Sequence, residues 1–149
     1  MKLLFVCLGN ICRSPLAEGI MIHLKDKHNL QIELDSAGTA NYHIGEAPDR
    51  RTIANAKKNG VDLSALRARQ FSVSDFDEFD QILVMDKNNF KNVMNLAKND
   101  THKNKVRLFL EGNQISGLLE VPDPYYGTED DFEKVFRLVY QNCERIAGL

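Results

Sequence analysis

The sequence predicts an α/β protein: one four-stranded parallel sheet with helices on both faces and a tight loop directly after the first strand. Two observations carry this. Short apolar runs alternate with segments whose apolar residues recur at three- and four-residue steps, and a glycine-bearing turn separates the first run from the first helical pattern. Residues 3–6 (LLFV) read as a buried strand. From Pro15 the pattern turns helical through Leu16, Ala17, Ile20, Met21 and Leu24, and Pro15 suits an early position whose N–H has no helical partner. Residues 32–34 read as a second strand that ends in Asp35-Ser36-Ala37-Gly38. A loop then runs through Pro48 to a helix from Asp49 to Asn59, stopped by Gly60.

Residues 81–85 (QILVM) give a third buried strand, and Phe90, Val93, Met94 and Ala97 mark the helix after it. The stretch 98–105 is polar and reads as a solvated connection to a fourth strand at 106–110. Beyond the loop VPDPYYG, Thr128 with Asp131 resembles a capping box, and Phe132, Val135, Phe136 and Val139 form the core face of a last helix. No repeat, low-complexity tract or linker interrupts the pattern, so residues 1–149 are expected to form one domain.

At 149 residues and 43% hydrophobic composition, a chain can bury roughly two-thirds of its unfolded surface without disulfide or metal staples. Nineteen basic against twenty-one acidic residues, a formal net charge of -2, give no field for wrapping nucleic acid. The apolar run near the start is shorter than a secretory core, and no segment approaches the roughly twenty residues needed to span a bilayer. A cytoplasmic protein with no nucleic-acid or membrane partner is expected. Three cysteines are too few and too odd for a disulfide scaffold and suit a reducing compartment.

Ligands of parallel α/β sheets bind beyond the carboxyl ends of the strands, which directs attention to Cys7-Leu8-Gly9-Asn10-Ile11-Cys12-Arg13-Ser14. Consecutive N–H groups in a tight turn, followed by a helix N-terminus, make an anion cradle. Gly9 and Asn10 tolerate the backbone such a turn needs, and the Arg13 fork can hold two phosphate oxygens. A cysteine in that positive field favours its thiolate, and Ser14 can donate to the sulfur. A nucleophile beside a tetrahedral-anion cradle points to attack on phosphorus. Cys12 reads either as packing under the loop or as a thiol that traps oxidised Cys7; Cys143 reads as a bystander. The pattern of Cys7, Cys12, His23 and His28 only loosely imitates a zinc site, because the two histidines point about 140° apart on the expected helix. No metal and no cofactor is expected.

Transfer of phosphate to Cys7 expels an alcohol or phenol that needs a proton. Asp123, fixed between Pro122 and Pro124, is the candidate acid, and Tyr125 and Tyr126 can wall a slot for an aromatic ring. Tyr42 is a candidate for the opposite wall, and Ser36 for bracing the loop through Asn10. Asp86, at the end of the third strand, reads as a helix cap outside the chemistry.

Together, Cys7 to Ser14 and Asp123-Pro124-Tyr125-Tyr126 resemble the low-molecular-weight protein tyrosine phosphatases, with Asp35-Ser36-Ala37-Gly38 and Met85-Asp86 also in place. The resemblance implies a four-stranded parallel sheet, a cysteinyl-phosphate intermediate and no metal. It implies Cys7 as nucleophile, Arg13 as phosphate clamp, Ser14 as thiolate stabiliser, Asp123 as acid and then base, and Asn10 with Ser36 as the loop brace. Leu8, Gly9, Ile11 and Cys12 complete the phosphate-binding loop. The partners so implied are phosphotyrosine proteins or peptides, with inorganic phosphate as product. Relatives with tryptophan at the rim align it with Tyr42. Two alternatives stay open: an arginine phosphatase of the same fold, against which Ile11 and the two tyrosines speak, and a non-catalytic phosphopeptide-binding module.

Overall fold

The computed structural model describes all 149 residues. Strands β1 (Lys2–Cys7), β2 (Glu33–Gly38), β3 (Gln81–Val84) and β4 (Val106–Leu108) form one sheet in the order β2-β1-β3-β4, every neighbouring pair parallel. The helices are α1 (Arg13–His28), α2 (Arg50–Lys58), α3 (Asp75–Glu78), α4 (Lys87–Met94), α5 (Asp100–Asn104) and α6 (Glu129–Ile146). No helix is long and apolar enough to cross a membrane.

Because side chains alternate along β1, its residues feed two cores. Leu3, Phe5 and Cys7 face α1, α2 and α6, where Phe5 meets Phe109 edge-on with ring centroids 5.9 Å apart. Leu4 and Val6 face the other side, with Phe71, Phe76, Ile82, Val84 and Val93. Complete burial of side chains of this size stabilises by roughly 1.5–3 kcal/mol each. A central strand buried on both faces reads as continuous apolar sequence, which is how β1 could be found.

Two expectations need correction, and one helix goes unannounced by the sequence pattern. The second strand is not confined to residues 32–34 but runs to Gly38, because the pairing of Leu4 with Asp35, Phe5 with Ser36 and Cys7 with Gly38 overrides the polarity of those residues. The stretch 98–105 is not a simple solvated connection. It contains α5, whose buried His102 stacks on Phe76 at 4.5 Å between centroids. The helix α3 was not foreseen; it carries the buried pair Asp75 and Phe76.

Strand β1 sits where the strand order reverses: the chain leaves it for β2 on one side and returns to β3 on the other. The loop after β1 therefore opens at the switch point of the sheet. Gly38 makes room for it. A Cβ there would lie 2.8 Å from the Leu8 carbonyl oxygen and 3.1 Å from the Asn10 nitrogen, both backbone atoms. Past β2, Thr39 and Ala40 N–H groups donate to the carbonyls of Cys7 and Leu8, each at 2.9 Å, and fix the start of the loop.

Candidate active site

None of the backbone N–H groups of Leu8, Gly9, Asn10, Ile11 and Cys12 donates a hydrogen bond within the protein. The carbonyls, by contrast, are used: Leu8 accepts from Ala40, Ile11 from Asp49 at 2.7 Å and Cys12 from Leu16. The loop is thus held by its acceptors and keeps its donors free, at the N-terminus of a helix with no acidic residue in its first turn and no side-chain cap. Free donors in series at a helix start bind an anion. Asn10 takes φ 57° to make the turn.

A cleft of about 250 Å³ opens over this loop. Its lining brings together the expected residues Cys7, Leu8, Gly9, Ile11, Cys12, Arg13, Tyr42, Asp123, Tyr125 and Tyr126. Asn10, Ser14 and Ser36 lie beneath, all buried. Cys7, at the tip of β1, has its sulfur 3.0 Å from the Ser14 hydroxyl. Asn10 Nδ2 donates to Ser14 Oγ at 2.8 Å and to Ser36 Oγ at 2.9 Å, so the brace between loop and β2 is in place.

Arg13 is 3% exposed. Its Nη1 donates to Asp86 Oδ2 at 2.8 Å and to the Val121 carbonyl at 2.9 Å, while Nε makes no hydrogen bond within the protein and Nη2 lies 3.8 Å from Asp123 Oδ2. Burial opposes the charge on Arg13, but the Cys7 sulfur and the Asp86 and Asp123 carboxylates outweigh it and hold the guanidinium protonated beyond its ordinary range. Asp86 is therefore part of the site as well as the cap of α4, a correction to its reading as a cap alone.

Asp123 is less enclosed, its side chain 45% exposed. Its Oδ1 accepts from the Tyr125 N–H at 3.1 Å, an Asx turn that holds the carboxyl at the cleft. The Tyr125 and Tyr126 rings meet edge-on at 4.9 Å. Arg51 lies over the Tyr125 ring and steadies it from behind. Tyr126 and Tyr42 are largely exposed, so they form a rim and not a closed wall.

Sequence reasoning missed His43, Glu18 and Arg69. His43 lines the cleft and lies 2.7 Å from Glu46 through Nδ1. Glu18 accepts from Ser36, and the Arg69 N–H donates to Asn10 Oδ1 at 3.0 Å. Glu18 had a signal, since it follows Ser14 by four residues on one helix face. Arg69 had none.

Burial keeps the two other thiols protonated. Burial pushes Cys12 up to about 12, and burial raises Cys143 further; Cys143 packs in the core of α6 with its sulfur near the Ala17 carbonyl. His23 and His28, far along α1, do not reach the cleft lining.

The fold and loop define a parallel α/β protein with an anion-binding turn, a cysteine and an arginine at its sheet switch point. The family model for low molecular weight phosphotyrosine protein phosphatases matches residues 2–148. The low molecular weight phosphotyrosine protein phosphatase of Saccharomyces cerevisiae is 41% identical over 140 residues, covering 91% of this chain and 86% of that protein. The low molecular weight protein-tyrosine-phosphatase YfkJ of Bacillus subtilis is 40% identical over 149 residues, covering 97% of this chain and 92% of that protein. A crystal structure of a protein tyrosine phosphatase from Entamoeba histolytica superposes with TM-score 0.92 at 38% identity, over 98% of this chain and 94% of that one. The chain belongs to the low molecular weight phosphotyrosine protein phosphatase family.

Proposed function

We propose that this protein hydrolyses phosphotyrosine in proteins or peptides through a cysteinyl-phosphate intermediate, releasing inorganic phosphate. The observation that carries this reading is the run of free N–H donors from Leu8 to Cys12 around the sulfur of Cys7, because a cradle and a nucleophile in one turn serve phosphoryl transfer. Family membership supports the same reaction. No step in it requires a metal or a cofactor.

The Cys7 thiolate attacks phosphorus while the loop N–H groups and the Nε and Nη2 side of Arg13 hold the three non-bridging oxygens. The S–P bond forms as the P–O bond to the tyrosine breaks. Asp123 gives its proton to the departing phenolate. Its carboxylate then takes a proton from a water that attacks the phosphocysteine, which frees the thiolate and leaves phosphate. Such loose transition states gain most from positioning and electrostatics, and Asp86 and the Val121 carbonyl supply positioning by pinning Arg13. The ring of phosphotyrosine fits between Tyr125, Tyr126 and Tyr42, and the cleft suits one aryl group. Three unpaired cysteines suit a reducing compartment such as the cytoplasm.

Cys7→Ser tests the assignment. It abolishes turnover of a phosphotyrosine peptide while the protein still binds inorganic phosphate; turnover retained in that variant overturns the reading. A panel of phosphotyrosine, phosphoarginine and phosphoserine peptides fixes the substrate class, with phosphotyrosine the one hydrolysed fastest. Cys12 shares the cleft with Cys7 and is placed to trap it when oxidised: the Cys7 sulfenic acid formed by peroxide condenses with the Cys12 thiol, releasing water. Absence of a Cys7–Cys12 bond by mass spectrometry after peroxide treatment removes that role.

A further inference from the structure

We propose that Glu18 is a positioning residue for the Cys7 sulfur: its buried carboxyl takes the Ser36 proton, which leaves the Ser36 hydroxyl free to accept from Asn10 and so holds the amide that donates to Ser14 beneath that thiol. The hydrogen-bond chain runs Glu18, Ser36, Asn10, Ser14, Cys7, with successive lengths of 2.6, 2.9, 2.8 and 3.0 Å. Every member is buried, from 8% exposure at Glu18 to none at Ser14. The inference rests on Cys7 as the nucleophile.

The direction follows from one backbone donor. The Arg69 N–H can only donate, and it points at one end of the Asn10 amide, so that end is the oxygen. The NH2 end therefore faces both serine hydroxyls and donates to each. Each hydroxyl, having accepted, has a single proton left to give elsewhere. Ser36 gives its proton to Glu18 Oε1. Ser14 has two acceptors within reach, Cys7 Sγ at 3.0 Å and the Ala37 carbonyl at a long 3.4 Å, and the sulfur is the better placed. Remove the Glu18 acceptor and the Ser36 proton has nowhere to go except toward Asn10. The amide then loses its hold on β2, and with it the fixed position from which it donates to Ser14 under the sulfur.

The charges around Glu18 give it no ion pair of its own. Asp35 on β2 repels it, and Arg69 attracts it but is engaged by Asp35 at 3.0 Å and by both oxygens of Asp75 on α3. Glu18 is thus kept in a position that burial and Asp35 penalise. Its service to the chain does not depend on charge, since a protonated carboxyl still accepts through Oε1 while the proton rides on the other oxygen.

The test separates acceptor from charge. Glu18→Gln keeps an acceptor, and Glu18→Met fills the space without one. The readout is the pH dependence of Cys7 alkylation by iodoacetamide, followed on the Cys7 peptide by mass spectrometry; the buried thiols of Cys12 and Cys143 stay silent at the pH values used. Glu18→Met lowers the alkylation rate at pH 6 by about threefold to tenfold and moves the midpoint upward, as loss of one hydrogen bond on the thiolate side requires. Glu18→Gln follows the native curve. Ser36→Ala reproduces the Glu18→Met shift, and combining the two adds nothing further, because both break the same chain. Loss of a buried carboxylate without an ion pair favours folding of Glu18→Met; if it does not fold, Glu18→Leu takes its place. A Glu18→Met curve that coincides with the native one, or effects of Glu18→Met and Ser36→Ala that simply add, overturns the proposal. Alkylation reads the Cys7 thiol whether or not Cys7 is the nucleophile, so failure of the mechanism and failure of this inference are separable.

Discussion

One carboxylate of Asp86 serves two masters: Oδ2 accepts from Arg13 Nη1 at 2.8 Å, and Oδ1 accepts from the Asn89 N–H at 2.7 Å. Arg13 is aimed and α4 is capped by the same group. Asp86→Ala removes both. Loss of the cap costs about 1 kcal/mol of stability, and a misaimed guanidinium costs on the order of 10²-fold in kcat/KM on an aryl phosphate. Asp86→Asn has a single acceptor. With its oxygen on the Asn89 N–H the cap is kept and Tm stays near native, while its NH2 group faces the donor Arg13 Nη1 and kcat/KM falls about as far as in Asp86→Ala. Steady-state kinetics with thermal melts of the two variants check this; equal activity in both and in the native protein removes Asp86 from the site.

The residues legible in the sequence are those whose roles share a short stretch or a fixed turn. Cys7 to Ser14 is contiguous, and Asp123 is marked by its prolines. Element order was legible because β1 and β3 are apolar on both faces and α6 has a regular apolar stripe. The end of β2 was not, since Asp35 and Ser36 are polar and enter the sheet only through pairing with β1. Asp86 stands at the same carboxyl edge as Cys7, and that position was signal enough to suspect it. Glu18 meets Ser36 and Arg69 meets Asn10 only once α1, β2 and the segment before α3 have packed; the four-residue step from Ser14 is the one local hint of Glu18, and Arg69 has none.

Glu18 also gives the folded protein a distinctive pH dependence. Burial foremost, then Asp35, raises it from 4.5 to about 7, against the Ser36 hydrogen bond and Arg69. A carboxyl that holds its proton more tightly when folded destabilises the fold once it ionises. Below pH 4.5 it is protonated in both states and has no effect; the penalty grows as pH rises and is complete above pH 7. The size is roughly 3 kcal/mol. Urea titrations from pH 5 to pH 8 should show native stability falling, and Glu18→Gln should flatten that fall. An equally steep decline in the variant assigns it to other groups.

Gly38 is the seat of the loop after β1, and its missing side chain is structural. In Gly38→Ala the new Cβ meets the Leu8 carbonyl oxygen and the Asn10 nitrogen, which are backbone and move only if the loop moves. The overpacking costs roughly 1–3 kcal/mol, and the loop N–H groups lose their common focus. Inorganic phosphate binding, measured calorimetrically, weakens at least tenfold in this variant by the reasoning that one misplaced donor is worth about 1.4 kcal/mol. Native affinity in Gly38→Ala means that the loop tolerates the push.

Asp123 is assigned the proton that the leaving phenolate needs, and that role has a signature that mere positioning lacks. A phenol of high basicity cannot leave without protonation, whereas p-nitrophenolate leaves nearly unaided. General acid catalysis contributes about 10²–10⁴-fold, so Asp123→Ala slows phenyl phosphate by that order and p-nitrophenyl phosphate far less. The carboxyl is placed for both substrates by the Tyr125 N–H and the nearby Arg13, so binding does not distinguish them. Plotting kcat/KM against leaving-group basicity gives a shallow line for the native enzyme and a steep one for the variant. Parallel lines, displaced by one constant factor, leave Asp123 as a positioning group for Arg13 and place the proton donor elsewhere.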